Sequence, residues 1–452
     1  MSGDDPIEAL RQRLKATERE VPTSRLGRLW KTGRSAASMG VAVLSGRTRE
    51  SALDLEDVAR WVGQLGELKG VAMKAGQILG YIDVTLPPEL RGMMALLQTT
   101  APASPFGQVE ATVRAALGGR AEALLAGLER APVAVASIAQ VHRGRLPDGT
   151  VVAVKVRHPG IDEALRNDFR TAGTGSAFAK LLVPGAGEAV KGFVDEAREA
   201  ILDECDFLLE AERQATFARL FAGDGTLVVP PVERDWCAKA VLTTHWMPGR
   251  SLDAFLQGDP AQAVRDRLGT ALFSFYVGTL YRHGLFHADP HPGNYGFRED
   301  GRVVVYDFGC VRTFAPGMVA ALARLVAAVR ADDSRVVGEA MAGLGARPPT
   351  DAEGQRHLRE LLRGFFAPLL HPGARRIDPG AGLEAGRVLR DKRALMRLRL
   401  PGRLLFLFRL RFGLYAVLAR LGAVADWAEL ESRWAEEALT GPRGPLPGER
   451  GP

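Results

Sequence analysis

What most constrains this chain is a loop followed closely by a strand: His287-Ala-Asp-Pro-His-Pro-Gly-Asn294, then Arg302-Val-Val-Val-Tyr-Asp-Phe-Gly309. Phosphoryl transfer needs a carboxylate near the incoming nucleophile and oxygen ligands for the magnesium that neutralises a polyphosphate. Asp289, Asn294 and Asp307 supply that set. Asp289 is read as the catalytic group that positions or deprotonates an attacking hydroxyl or water, and Asn294 and Asp307 as the metal ligands. Asp-Phe-Gly alone occurs by chance, and a lone His-x-Asp is often an ordinary turn. The joint pattern, with Gly293 and Gly309 easing the two loops, carries the chemistry. His287 and His291 flank Asp289 without the helical spacing or thiolate partner of a zinc site, so they are read as supports that hydrogen-bond the loop.

Upstream, Ser137 to Leu146 and Thr150 to Val156 read as two strands joined at Pro147-Asp148-Gly149. Alternation in the second strand puts Val152, Val154 and Val156 on one face and Ala153 and Lys155 on the other. Protein kinases hold the α- and β-phosphates of ATP with a lysine so placed. Glu210, on the helix expected over 188–220, is taken as its partner, with Glu204 and Asp206 as competitors. No G-x-G-x-x-G precedes this strand; Pro132-Val-Ala-Val-Ala-Ser137 stands there instead, a loop whose Cβ atoms make it stiffer.

A chain of 452 residues is long for one domain, and its 46% hydrophobic content suits a sizeable core. Apolar residues recur at helical spacing from Leu53 to Ile82; after Met247-Pro248-Gly249 the chain reads as mostly helical to about Leu439, apart from the site loops. The organisation expected is a basic segment (1–50), a helical extension (51–130), a small lobe (131–247), a large lobe (248–439) and a disordered tail (440–452). The fold class is α+β, with two lobes.

Net charge is +6, from 59 basic and 53 acidic residues, too mild an excess to suggest nucleic acid as a partner. Arg11, Arg13, Lys15, Arg19, Arg25, Arg28, Lys31 and Arg34 face only Glu18 and Glu20, which reads either as a solvated amphipathic helix or as a segment for anionic membrane, with Leu26, Leu29 and Trp30 as anchors. Three scattered cysteines suit a reducing compartment, so the expectation is cytoplasmic. MSGDDPIEAL lacks a signal core, and Arg409 and Arg411 interrupt the apolar run from Leu404, so neither secretion nor a membrane span is expected. The helix from Pro401 is read as core, with a membrane-facing patch as the alternative.

Together these residues resemble the UbiB/AarF/ADCK family of atypical, protein-kinase-like proteins associated with isoprenoid quinone biosynthesis, from about Val21 to about Asp426. The most specific match is Lys74-Ala-Gly-Gln77, the family's K-x-G-Q motif on a helix preceding the kinase core. The alanine-rich loop matches Ala134-Val135-Ala136-Ser137, and the E-x-D motif matches Glu204-Cys-Asp206. The resemblance implies a protein-kinase-like fold, ATP and Mg2+ as cofactors, and a lipid or quinone precursor as ligand. It also implies that Lys74, Gly76 and Gln77, with Glu204 and Asp206, occlude the place where a protein substrate docks. Val135 stands where a third alanine is usual, and Cys205 where leucine is usual. After Asp307-Phe-Gly the chain passes quickly into Met318-Val-Ala-Ala-Leu, without room for a long activation segment. The alternatives are a small-molecule phosphotransferase of the aminoglycoside or choline kinase type, which lacks K-x-G-Q, and a nucleotide-gated scaffold.

Overall fold

The computed structural model describes residues 103–163, 165–166, 198–199, 201–378 and 402–441. The motif Lys74, Gly76 and Gln77, the basic segment 1–50 and all but the first two residues of the 440–452 tail lie outside the described residues. The chain forms two compact units, one running through Leu208 with Arg234–Thr243 added, the other made of Leu209–Glu233 and Thr244 onward.

The first unit is a sheet backed by helices. Strands β1 (Leu128–Val135), β2 (Ala139–Arg145), β3 (Val151–Arg157) and β5 (Val241–His245) pair in the order β1-β2-β3-β5, while the two-residue β4 (Leu227–Val228) belongs elsewhere. The β2–β3 hairpin forms where expected. Asp148 Oδ1 accepts from Thr150 N–H at 2.9 Å, and Gly149 takes φ 91°, which favours glycine. Alternation holds as well: Val152, Val154 and Val156 are buried, and Ala153 and Lys155 are half-buried. Helix α1 (Phe106–Leu117) presents Val109, Val113 and Leu117, four residues apart, to the core that also holds Val152, Val154, Val156 and Val241. The short helix α2 (Ala121–Leu125) adds Ala121 and Leu124 to it. Each buried Val or Leu removes enough apolar surface from water to contribute about 1.5–3 kcal/mol.

Two local expectations change. The alanine-rich stretch is not a loop: Pro132 to Val135 extend β1, and the chain reverses over Ser137 and Ile138, closed by Ala136 N–H to Ala139 O at 2.7 Å. Strand pairing with β2, at Ala134 with Val141 and Val135 with Gln140, satisfies main-chain groups that a loop would leave to water. Likewise the helix expected through 188–220 breaks at Glu204-Cys205. Cys205 and Asp206 N–H groups turn back to Leu202 and Asp203 carbonyls, and Asp206 Oδ1 accepts from Leu208 N–H at 3.1 Å, starting a new helix, α3 (Phe207–Leu220).

The second unit is mainly helical. It contains α4 (Leu252–Gln257), α5 (Gln262–Phe273), a π-helical turn at Ser274–Gly278, and α6 (Thr279–His283), which ends at Gly284 in the left-handed conformation, φ 65°. Four short strands follow: β6 (Leu285–His287), β7 (Tyr295–Phe297), β8 (Val303–Val305) and β9 (Val311–Thr313). Beyond them lie α7 (Pro316–Ala331), α8 (Ser334–Gly343) and α9 (Ala352–Phe365). The two-residue strands β10 (Arg375–Arg376) and β11 (Val424–Ala425) pair with each other on either side of α10 (Gly402–Leu421), and α11 (Trp427–Thr440) completes the unit. In α10, Leu404, Leu407, Leu410, Leu414, Leu418 and Leu421 are buried, so this helix is core, as expected. No helix among the described residues is long and apolar enough to cross a membrane.

Candidate active site

Strand pairing brings the two site loops together. β6 runs antiparallel to β9, with His287 opposite Val311, while β7 runs antiparallel to β8, with Tyr295 opposite Val305. The loop 288–294 joins β6 to β7, and the loop 306–310 joins β8 to β9, so both are pinned by the same two ladders. Main-chain bonds continue the pairing, Ala288 N–H to Cys310 O at 2.8 Å and Tyr306 N–H to Asn294 O at 3.0 Å.

His287 ties the loops a second time. Its Nδ1 accepts from Asp289 N–H at 3.3 Å; an amide only donates, so the ring proton sits on Nε2, which donates to Asp307 O at 2.7 Å. The ring is fully buried, and Phe217, Phe275, Tyr276 and Phe308 pack around it. His291 Nδ1 accepts from Gly293 N–H at 3.0 Å, and a Cβ on Gly293 would sit 2.9 Å from that nitrogen. Both histidines therefore support the loop, as expected.

Asp289, Asn294 and Asp307 are all half-buried. Asn294 Nδ2 donates to Asp289 O at 3.1 Å and to Asp289 Oδ2 at 3.2 Å. Both partners are acceptors, which orients the amide and leaves Oδ1, the atom a metal takes, outside those two bonds. Asp307 Oδ1 accepts from Gly309 N–H at 3.0 Å. Among the described residues no group of three or more His, Cys, Asp or Glu side chains is arranged around a metal. Magnesium does not require one, because it binds through one or two protein oxygens and fills its octahedron with phosphate and water. The hard oxygen set of Asn294 and Asp307 fits that ion.

Glu210 is buried on α3, and its Oε1 accepts from Phe308 N–H at 3.4 Å. One turn on, Arg213 donates to Gly309 O at 2.8 Å. Sequence reasoning gave Arg213 no role, although its spacing of three from Glu210 places both on one helix face. In the first unit Lys155 Nζ lies 5.1 Å from the ring centroid of Phe207, a cation–π distance. Ala134 and Val135 end β1 and Ala136 and Ser137 enter its turn; Ala134 and Ala136 are exposed and the other two half-buried. Glu204 lies in the break before α3, and Asp206 caps that helix.

Beneath the loop 288–294, Tyr276 donates to Asp289 O at 3.2 Å and accepts from the Tyr295 hydroxyl at 2.8 Å. Burial pushes both phenols well above their ordinary pKa, so they stay protonated. On α10, Gly413 lies so near the loop that a Cβ there would come 2.5 Å from Pro290 Cγ.

The ABC1 atypical kinase-like domain matches residues 96–341, more than half of the chain. The chain belongs to that family. The resemblance to UbiB proteins is thereby confirmed, and with it an ABC1 kinase-like fold. The chain is 29% identical over 299 residues to the chloroplastic protein ACTIVITY OF BC1 COMPLEX KINASE 8 of Arabidopsis thaliana, covering 65% of this chain and 39% of that one. It is 30% identical over 319 residues to the mitochondrial atypical kinase COQ8B of Rattus norvegicus, covering 66% and 59%. The chain thus spans 39% to 59% of the length of these two relatives. Among solved structures it is similar to Rv3197 of Mycobacterium tuberculosis in complex with erythromycin, with TM-score 0.58 and 28% identity over 86% of this chain and 96% of that one. An ABC1 kinase-like domain implies ATP and a divalent metal in general terms.

Proposed function

We propose that this chain is an atypical kinase or ATPase that binds ATP with magnesium and delivers the γ-phosphoryl group to a lipid-like or small-molecule acceptor, or to water, in support of isoprenoid quinone biosynthesis or lipid homeostasis. The observation that carries this reading is the double tie through His287, which fixes Asp289 and the Asp307 main chain to one imidazole. In this reading Asp289 meets the attacking oxygen, and Asn294 and Asp307 are the metal ligands. Lys155, with Glu210 as its carboxylate, holds the phosphates, and Ala134 to Ser137 cover the nucleotide. Lys74, Gly76, Gln77, Glu204 and Asp206 exclude protein substrates. Magnesium, when bound, offsets the negative charge of the polyphosphate.

The test is ATP hydrolysis against magnesium concentration for the wild type and Asp307→Asn, with and without phenolic quinone precursors. Loss of a group that stabilises transition-state charge lowers kcat by about 10²–10³-fold. Equal rates for the two proteins would sink the assignment. With α10 packed in the core, attachment to anionic membrane rests on the basic segment from Arg11 to Arg34, and co-sedimentation with anionic vesicles at low and high salt tests it.

One observation favours a second reading. Rv3197 is solved in complex with erythromycin; carried over to this chain, that points to a scaffold that binds a bulky small molecule, with ATP occupancy as its regulator in this reading. Erythromycin binding that changes with ATP in the absence of any hydrolysis would favour that scaffold over the kinase.

A further inference from the structure

A group that meets an attacking oxygen works only if it is held in place, since a displacement of about 1 Å costs on the order of 10² in rate. Asp289 is held through its main-chain carbonyl, which accepts from Asn294 Nδ2 at 3.1 Å and from the Tyr276 hydroxyl at 3.2 Å. Asn294 already belongs to the metal set. Tyr276 does not, and a phenylalanine would fill the same space against Phe275, His287 and Tyr295.

Its hydroxyl is the informative atom. Burying a phenol O–H is unfavourable unless it is bonded, and here its bonding has a direction. Tyr295 donates to the Tyr276 oxygen at 2.8 Å, so the Tyr276 proton is the one turned to Asp289 O. Tyr295 directly follows Asn294, so one phenol touches both ends of the loop 289–295. The backbone that delivers Tyr276 is the π-helical turn Ser274–Gly278 between α5 and α6. Such turns carry a wider hydrogen-bond ring than the α-helix and often mark functional sites.

We propose that Tyr276 is a positioning residue for phosphoryl transfer, fixing Asp289 through the hydrogen-bonded chain Tyr295–Tyr276–Asp289. This rests on the reading of Asp289 as the group that meets the attacking oxygen.

The experiment compares the full-length wild type with Tyr276→Phe, Tyr295→Phe and the double variant in magnesium-dependent ATP hydrolysis, with amide hydrogen exchange over 288–294 as a second arm. Loss of one net hydrogen bond corresponds to roughly three- to tenfold. Tyr276→Phe is expected to lower kcat by that factor with KM for ATP unchanged, because it touches no nucleotide-holding group. Tyr295→Phe is expected to fall less, and the double variant no further than Tyr276→Phe, since both act through one hydroxyl. Exchange is expected to quicken over 288–294 and to stay unchanged in α7. An unchanged kcat, or a kcat loss accompanied by faster exchange throughout the unit, overturns the proposal. Should the wild type itself hydrolyse no ATP, the reading of Asp289 fails, whereas unchanged exchange in the loop of Tyr276→Phe is what removes Tyr276 from its positioning role.

Discussion

The Gln140 amide shows how much a single buried polar group can dictate. Ser104 N–H donates to Oε1 at 2.7 Å, which turns Nε2 toward His142 Nε2 at 2.9 Å. His142 Nε2 must therefore accept, and its Nδ1–H donates to Glu129 O at 2.8 Å. Only the neutral ring fits. Burial lowers the His142 pKa and outweighs the Glu129 carbonyl, which raises it. The unfolded chain takes up a proton near pH 6.5 and the folded chain only below that, so stability is full above about pH 6.5 and declines as pH falls toward the folded value. The urea midpoint is expected to drop between pH 7.5 and 5.5, and His142→Gln to flatten that drop; parallel curves would refute this. Asp289, Asn294 and Asp307 were legible in the sequence because motif residues at fixed spacing name them. Tyr276, Arg213 and Gln140 were not, because their partners are mostly main-chain carbonyls and amides, which no residue letter records.

Among the elements, α10 was legible as a helix but not in its chemistry. Its arginines read as a break in an apolar run on a core helix, with a membrane-facing patch as the alternative, whereas Arg411 is fully buried and pairs with Glu431 of α11 through both terminal nitrogens. The Tyr281 hydroxyl donates to Glu431 at 2.7 Å, and Arg411 donates to the Tyr415 oxygen at 3.3 Å. Burial works to lower the arginine's pKa, but Glu431 foremost, with Tyr415 and Tyr281, more than reverses this and holds it well above its ordinary value. Glu431→Gln leaves a buried cation uncompensated and is expected to destabilise by about 3–5 kcal/mol, whereas Arg411→Met with Glu431→Leu recovers most of that loss. Thermal unfolding of the three proteins checks it, and equal midpoints would refute it. Because Gly413 on the same helix abuts Pro290, activity is expected to fall with Glu431→Gln at temperatures well below the midpoint. The alanine-rich stretch was misread as a loop for a comparable reason: strand pairing with β2 overrode a composition that suggested irregular chain.

For the whole molecule, a ligand that binds only the folded form raises stability by about 2.7 kcal/mol at 100 times its dissociation constant. ATP with magnesium is expected to raise the unfolding temperature of the wild type, and Asp307→Asn to lose most of that rise; a rise equal in both proteins would remove Asp307 from the metal set. Length alone pointed to more than one body. That Leu209–Glu233 groups with the second unit while Arg234–Thr243 stays with the first was not legible, because β5 pairs with β3, a strand far back in the sequence. This has a bearing on biosynthesis. β3, which carries Lys155, has β2 on one side and β5 on the other. Until residues 241–243 leave the ribosome, a nascent chain that has formed β2 and β3 presents β3 as an open edge with unpaired amides and carbonyls. At about 5–20 residues per second, the stretch from Arg157 to Val241 takes several seconds to make. During that interval the strand that carries Lys155 is open to pairing with another chain.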